Sequence, residues 1–105
     1  MYSRHVTVNL KPNQQEELTQ TFEREVLPLL QKQNGFMDEI VFLSPDNRSV
    51  TAISLWESKE SADSYSRETY PQVLKSVTRF VDGTPEVRGC EAIFSTLHKT
   101  AGTTR

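Results

Sequence analysis

Cysteine is nearly absent from this chain: 105 residues hold a single one, Cys90, alongside two histidines and one tryptophan. A lone thiol excludes an intrachain disulfide, and so sparse a set of Cys and His residues leaves no spaced ligand group for structural zinc. A reducing, cytoplasmic setting is the expectation that fits. No apolar run approaches the roughly 20 residues that span a bilayer. The opening residues, Met1 to Val6, lead into a strand-like pattern rather than into the apolar stretch of a signal peptide. Cations are not in surplus either, with 12 basic against 14 acidic side chains and a net charge of -2. Nucleic acid, which needs its phosphates neutralised, is therefore not an expected partner. There are no repeats and no low-complexity segments. What remains is one domain, hydrophobic over 35% and charged over 25% of its residues. That apolar share is low enough for a buried dimer interface to help.

The pattern along the chain is regular. Val6, Val8 and Leu10 alternate with His5, Thr7 and Asn9, which predicts a first strand with two distinct faces. Lys11-Pro12-Asn13 breaks it, with Asn13 as the expected cap of a helix and Glu16 completing an approximate capping box. Leu18, Phe22, Val26, Leu29 and Leu30 then recur at helical spacing, predicting a helix from Gln14 to Gln33 with a kink at Pro28. Asn34-Gly35 is a left-handed stop. Phe36 to Leu43 and Val50 to Trp56 read as antiparallel strands joined by the turn Ser44 to Arg48. Ser58 is the expected cap of a second helix, on which Ala62, Tyr65 and Thr69 form one stripe. Tyr70-Pro71 interrupts that helix, a second segment continues through Val81, and Gly83-Thr84-Pro85 ends it. A last strand is expected from Val87 to about Leu97, and Lys99 to Arg105 as a flexible tail.

The order β-α-β-β-α-β is that of an α+β, ferredoxin-like domain, here covering residues 1–98. Two helices cover one face of a four-stranded antiparallel sheet, and apolar side chains stand on both faces of strand two and of strand four. Homodimerisation through the uncovered face or an edge is the expected remedy. In this order the first and last strands are expected to pair with other strands rather than with each other.

Three features together carry a resemblance: the element order, the Asn34-Gly35-Phe36 joint, and the run Leu55-Trp56-Glu57-Ser58-Lys59-Glu60-Ser61 after the third strand. Over Val6 to Leu97 the chain resembles the antibiotic biosynthesis monooxygenase family of dimeric α/β barrels. The resemblance implies a homodimer in which each protomer holds a small-molecule cavity between helices and sheet. It also implies a choice among chemistries, since members include oxygenases that need neither metal nor flavin, haem-degrading enzymes and handlers of quinone-like molecules. The haem-degrading branch has a tryptophan in the middle of helix two and a histidine further along, where this chain has Tyr65 and Lys75. That branch's asparagine would fall near Arg4. Lysine is a poor substitute for an imidazole ligand to haem iron, so haem degradation is not expected and no cofactor is implied.

A cofactor-free oxygenation of an aromatic, phenolic or quinone-like molecule needs a dry pocket, a general base and donors for a developing oxyanion. His5 and Tyr65 are the candidate catalytic residues; Asn9, Trp56, Arg88 and His98 are candidates for binding substrate. Histidine titrates nearest neutral pH, and His5 shares a strand face with Thr7 and Asn9. Trp56 could form a stacking wall and Tyr65 a hydroxyl donor, each weighed against a plain core role. Arg88 could hold an anionic substrate or an interface carboxylate, while Cys90, with no cation beside it in sequence, reads as an inert buried thiol. A non-catalytic, small-molecule-binding or stress-associated dimer is the alternative function, and a purely structural or regulatory dimer a third. Strand parity tells which residues share a face but not which face meets the helices.

Overall fold

Alternation in the first strand and helical spacing after it give the strand and the helices an apolar face each, and packing those faces together builds the domain. A computed structural model describes residues 1–96. Strand β1 (Tyr2–Leu10) leads into α1 (Gln15–Thr21), a π-helical segment (Phe22–Val26) and α2 (Leu27–Gln31). Then come β2 (Phe36–Leu43), β3 (Ser49–Trp56), α3 (Lys59–Glu68), α4 (Tyr70–Val77), a short 3-10 turn (Thr78–Phe80) and β4 (Val81–Glu91). The sheet is antiparallel with order β2-β3-β1-β4. This is the α+β, ferredoxin-like fold that the element order implies.

Several local expectations are realised. Gly35 takes the left-handed conformation, with φ of 81°, at the end of the first helical stretch. Ser58 caps α3, its hydroxyl accepting from the Ser61 amide at 3.2 Å. Pro28 produces a π-helical turn immediately before α2, in which the Leu27 amide reaches back to the Phe22 carbonyl. The wider turn makes room for the pyrrolidine ring, where a regular α-turn would set it against a carbonyl.

Other expectations are corrected. Asn13 is not a helix cap: it lies at φ of 60°, the cap position belongs to Gln14, and no side chain bonds to the helix start there. The second helical region ends at Phe80, and Val81 to Glu91 is one strand, so the last strand begins and ends earlier than Val87 to Leu97. Gly83-Thr84-Pro85 does not terminate a helix but lies in a bulge, where the register against β1 shifts between Thr7 and Asn9. A bulge on an edge strand accommodates both a left-handed glycine and a proline without an N–H. Strands β1 and β4 are direct neighbours, with His5 opposite Arg88. Cys90 is exposed rather than buried. The expected tail at residues 99–105 lies outside the described residues.

The core has two parts. One gathers Val26, Leu30, Trp56, Ala62, Tyr65 and Val73; the other gathers Leu10, Leu18, Val50 and Phe80. Between them, under the helices, lies a cavity.

Candidate functional site

Strand parity locates the site once the helix-covered face is known. Arg4, Val6 and Val8 of β1, Ala52 and Ser54 of β3, and Glu39, Val41 and Leu43 of β2 all face a cavity of about 260 Å³. Leu18, Phe22 and Val26 close it from the first helical stretch, and Tyr65, Tyr70, Val73 and Val77 from the second. Most of that lining is apolar. Polar groups gather at one end, where Arg4, Glu39, Tyr65, Tyr70 and Ser54 meet, and Gln15, Thr19 and Glu23 add others from the first helical stretch.

Arg4 is held tightly there although it is only 6% exposed. Its Nε–H donates to Ser66 Oγ at 2.7 Å. Its guanidinium carbon lies 4.0 Å from the centre of the Tyr70 ring and 5.3 Å from that of Tyr65. Both rings present their electron-rich faces to the cation, which partly compensates its desolvation. Among the described residues no carboxylate forms an ion pair with Arg4. Glu39 is the carboxyl group near enough to be influenced by it, yet burial dominates and pushes the Glu39 pKa up to about 8, against the smaller downward pull of Arg4. Burial likewise raises Tyr65 above the ordinary range for a phenol, again opposed by Arg4. At neutral pH the cavity end therefore carries a largely protonated Glu39 carboxyl group and a neutral Tyr65 phenol beside the Arg4 guanidinium.

The hydrogen-bonding capacity of this cavity is not used up by the protein. Glu39 Oε1, the Tyr70 hydroxyl and Gln15 Oε1 are buried and have no hydrogen-bond partner among the described residues. All three residues line the cavity. Buried polar atoms are ordinarily paired, so three exceptions around one space mark it as built for a polar guest.

Of the residues singled out from sequence, the cavity takes in Tyr65. Trp56 is completely buried behind it, its ring 5.0 Å from that of Tyr65 and its Nε1–H donating to Ser54 Oγ at 2.8 Å. It is not among the residues lining the cavity. His5, Asn9 and Arg88 belong to the opposite side of the sheet by strand parity. There His5 Nε2 lies 2.9 Å from Ser3 Oγ, whose hydroxyl also lies 3.1 Å from the Cys90 carbonyl, while Asn9 and Arg88 are exposed. His98 lies outside the described residues. Lys75 is exposed on α4.

Arg4, Glu39, Tyr70 and Gln15 escaped sequence reasoning, although two of them left a signal. Arg4 has the parity of Val6, Val8 and Leu10, and Glu39 that of Val41 and Leu43. A charge in an otherwise apolar row of a strand is the mark of a buried polar site.

Comparison with solved structures places this architecture. A monooxygenase from Streptomyces coelicolor in complex with nanaomycin D superposes with a TM-score of 0.76 at 16% identity, covering 93% of this chain and 92% of that one. SnoaB, a cofactor-independent oxygenase from Streptomyces nogalater, gives 0.75 at 14% identity, with 92% and 97% covered. A protein of unknown function from Nitrosomonas europaea gives 0.75 at 14% identity, with 93% and 94% covered. At such identities the likeness concerns the fold. A search of curated protein sequences finds no match. The sequence model of the family described as "Antibiotic biosynthesis monooxygenase" matches residues 1–75. With the fold and most of the chain in agreement, this protein belongs to the antibiotic biosynthesis monooxygenase family.

Proposed function

We propose that this chain is a monooxygenase acting on an acidic aromatic molecule, a phenol or a precursor of a quinone, and that the substrate itself reduces oxygen without a metal or flavin. The observation that carries the reading is the polar end of the cavity: a buried Arg4 that forms no ion pair with a carboxylate among the described residues, beside a Glu39 whose Oε1 is buried without a partner among them, with two tyrosines around them. A phenolate or enolate supplies the negative charge that Arg4 lacks.

In this reading Glu39, in its ionised form, removes a proton from the activated ring carbon of the substrate. The resulting anion is stabilised by Arg4 and by hydrogen bonds from the Tyr65 and Tyr70 hydroxyls. The anion gives an electron to dioxygen, and recombination forms a C–O bond, leaving a peroxide protonated by Glu39. Loss of the second hydrogen from that carbon, with cleavage of the O–O bond, releases water and leaves a carbonyl. One CH2 group and one O2 thus become one C=O and one H2O. The apolar remainder of the cavity excludes water and accommodates the rings.

The test is oxygen uptake with anthrone-type phenols, following kcat/KM against pH. With Glu39 titrating at about 8, kcat/KM is expected to rise with pH and level off above that value. Glu39→Gln should cost roughly 100-fold or more, the usual scale for losing a general base. Tight binding of these phenols with no oxygen uptake by the wild type would instead favour the non-catalytic binding protein.

We also infer that two copies associate through the sheet face away from the helices, where Ile40 and Phe42 are 44% and 52% exposed. The single exposed thiol, Cys90, fits a reducing cytoplasmic setting.

A further inference from the structure

We propose that Gln15 is a specificity-determining residue, reading a second polar substituent of the substrate at the end of the cavity opposite Arg4. The inference rests on the phenol-binding reading above and extends it from one anchoring point to two. Its basis is the distribution of unpaired polar atoms. Glu39 Oε1 and the Tyr70 hydroxyl belong to the Arg4 end, whereas Gln15 Oε1, equally buried and unpartnered, stands apart from them.

The separation follows from the strand. Arg4 lies opposite Ser54, and Val8 lies opposite Val50. Val50 packs with Leu18, one turn beyond Gln15 on α1, in the second part of the core. Four residues of β1 therefore separate the two ends, about 13 Å at the usual rise of a strand. Between them Val6, Phe22, Val26 and Ala52 offer no hydrogen bond; the polar Thr19 and Glu23, also in the lining, are exposed, and the Thr19 hydroxyl already donates to the Gln15 carbonyl at 2.9 Å. A ligand with a single acidic hydroxyl satisfies Arg4 and leaves Gln15 Oε1 buried and unpaired. An elongated, fused-ring ligand with a hydroxyl at each end satisfies both. The amide presents an acceptor and donors, so a hydroxyl is suited to it in either orientation.

The experiment compares equilibrium binding of 2,6-dihydroxyanthraquinone and 2-hydroxyanthraquinone to the wild type and to Gln15→Met, which keeps the side-chain length and removes the amide. The wild type is expected to bind the dihydroxy compound roughly tenfold more tightly, the scale set by leaving one buried polar group unpaired. In Gln15→Met the ratio should fall to about twofold or less. Circular dichroism and thermal melting establish that the variant is folded. Equal affinities in the wild type, or a preference that persists in Gln15→Met, would overturn this inference and leave the phenol-binding reading standing. Failure of the wild type to bind either compound would overturn both.

Discussion

At the scale of the residue, Glu39 decides how the cavity responds to pH. A glutamate ordinarily titrates at 4.5, whereas burial pushes this one up to about 8. Between those values the folded protein retains a proton that the unfolded chain has released. Its contribution to stability is thus complete below pH 4.5 and is lost as pH rises through 8. At about 1.4 kcal/mol per pH unit the loss on going from pH 5 to pH 9 is on the order of 4 kcal/mol. Melting of the wild type between pH 5 and 9 should show a fall of roughly 15–30 °C attributable to this group, since 1 kcal/mol moves a domain of this size by about 4–8 °C. Glu39→Gln should flatten the profile and be the more stable protein at pH 9. Parallel profiles for the two would mean that Glu39 is not buried as described. Such a residue is hard to find from sequence because parity shows a shared face without showing which face the helices cover. Residues 5, 7 and 9 of β1 are as consistent an alternating set as residues 4, 6 and 8. His5 drew attention by its chemistry, whereas Arg4 occupies the covered face.

At the scale of the element, the two stretches that carried the family resemblance prove to be parts of one junction. Phe36 packs edge-on to Trp56, with ring centres 5.5 Å apart, and the Glu57 amide donates to the Gly35 carbonyl at 2.8 Å. A side chain at Gly35 would collide with that of Ser61, on the first turn of α3. The end of the first helical stretch and the start of α3 are thus fastened together behind Tyr65. Gly35→Ala combines a left-handed backbone with a steric clash, while Gly83→Ala, at φ of 82°, meets nothing within 4 Å. The Gly35 substitution should therefore cost about 2–4 kcal/mol and the Gly83 substitution about 1 kcal/mol, read as midpoints of urea unfolding. Equal costs would show that the junction yields freely. Most of the fold was legible because local signals agreed with one another: alternation in β1, the turn Ser44 to Arg48 between two strand-like runs, helical spacing after Gln14, Gly35 as a stop and Ser58 as a cap. The β4 boundary was not legible, because Gly83 and Pro85 have the same composition in a bulge as in a helix terminator. Only pairing with β1 distinguishes the two.

At the scale of the molecule, the sheet serves two surfaces at once. Val41 and Leu43 of β2 line the cavity, while Ile40 and Phe42 alternate with them and face away from the helices. On that outer face Ile40 lies opposite Ile53 and Phe42 opposite Thr51, whose hydroxyl bonds with that of Thr7 at 3.1 Å. Helices on one side leave this apolar surface uncovered, and a second copy of the chain would cover it. Sedimentation at micromolar concentration should therefore give twice the chain mass of 12.0 kDa, and Phe42→Lys should shift the population to the monomer. A monomeric wild type, or an unaltered dimer in Phe42→Lys, would remove the outer face as the interface. The same strand gives the substitution a second consequence. Because β2 is an edge strand whose inward residues form a wall of the cavity, losing support on the outward side should loosen that wall. Substrate binding in Phe42→Lys should weaken even though no residue in contact with the substrate has changed. Dilution of the wild type below its dimerisation constant should weaken binding in the same way, which separates an effect of association from a local effect of the lysine.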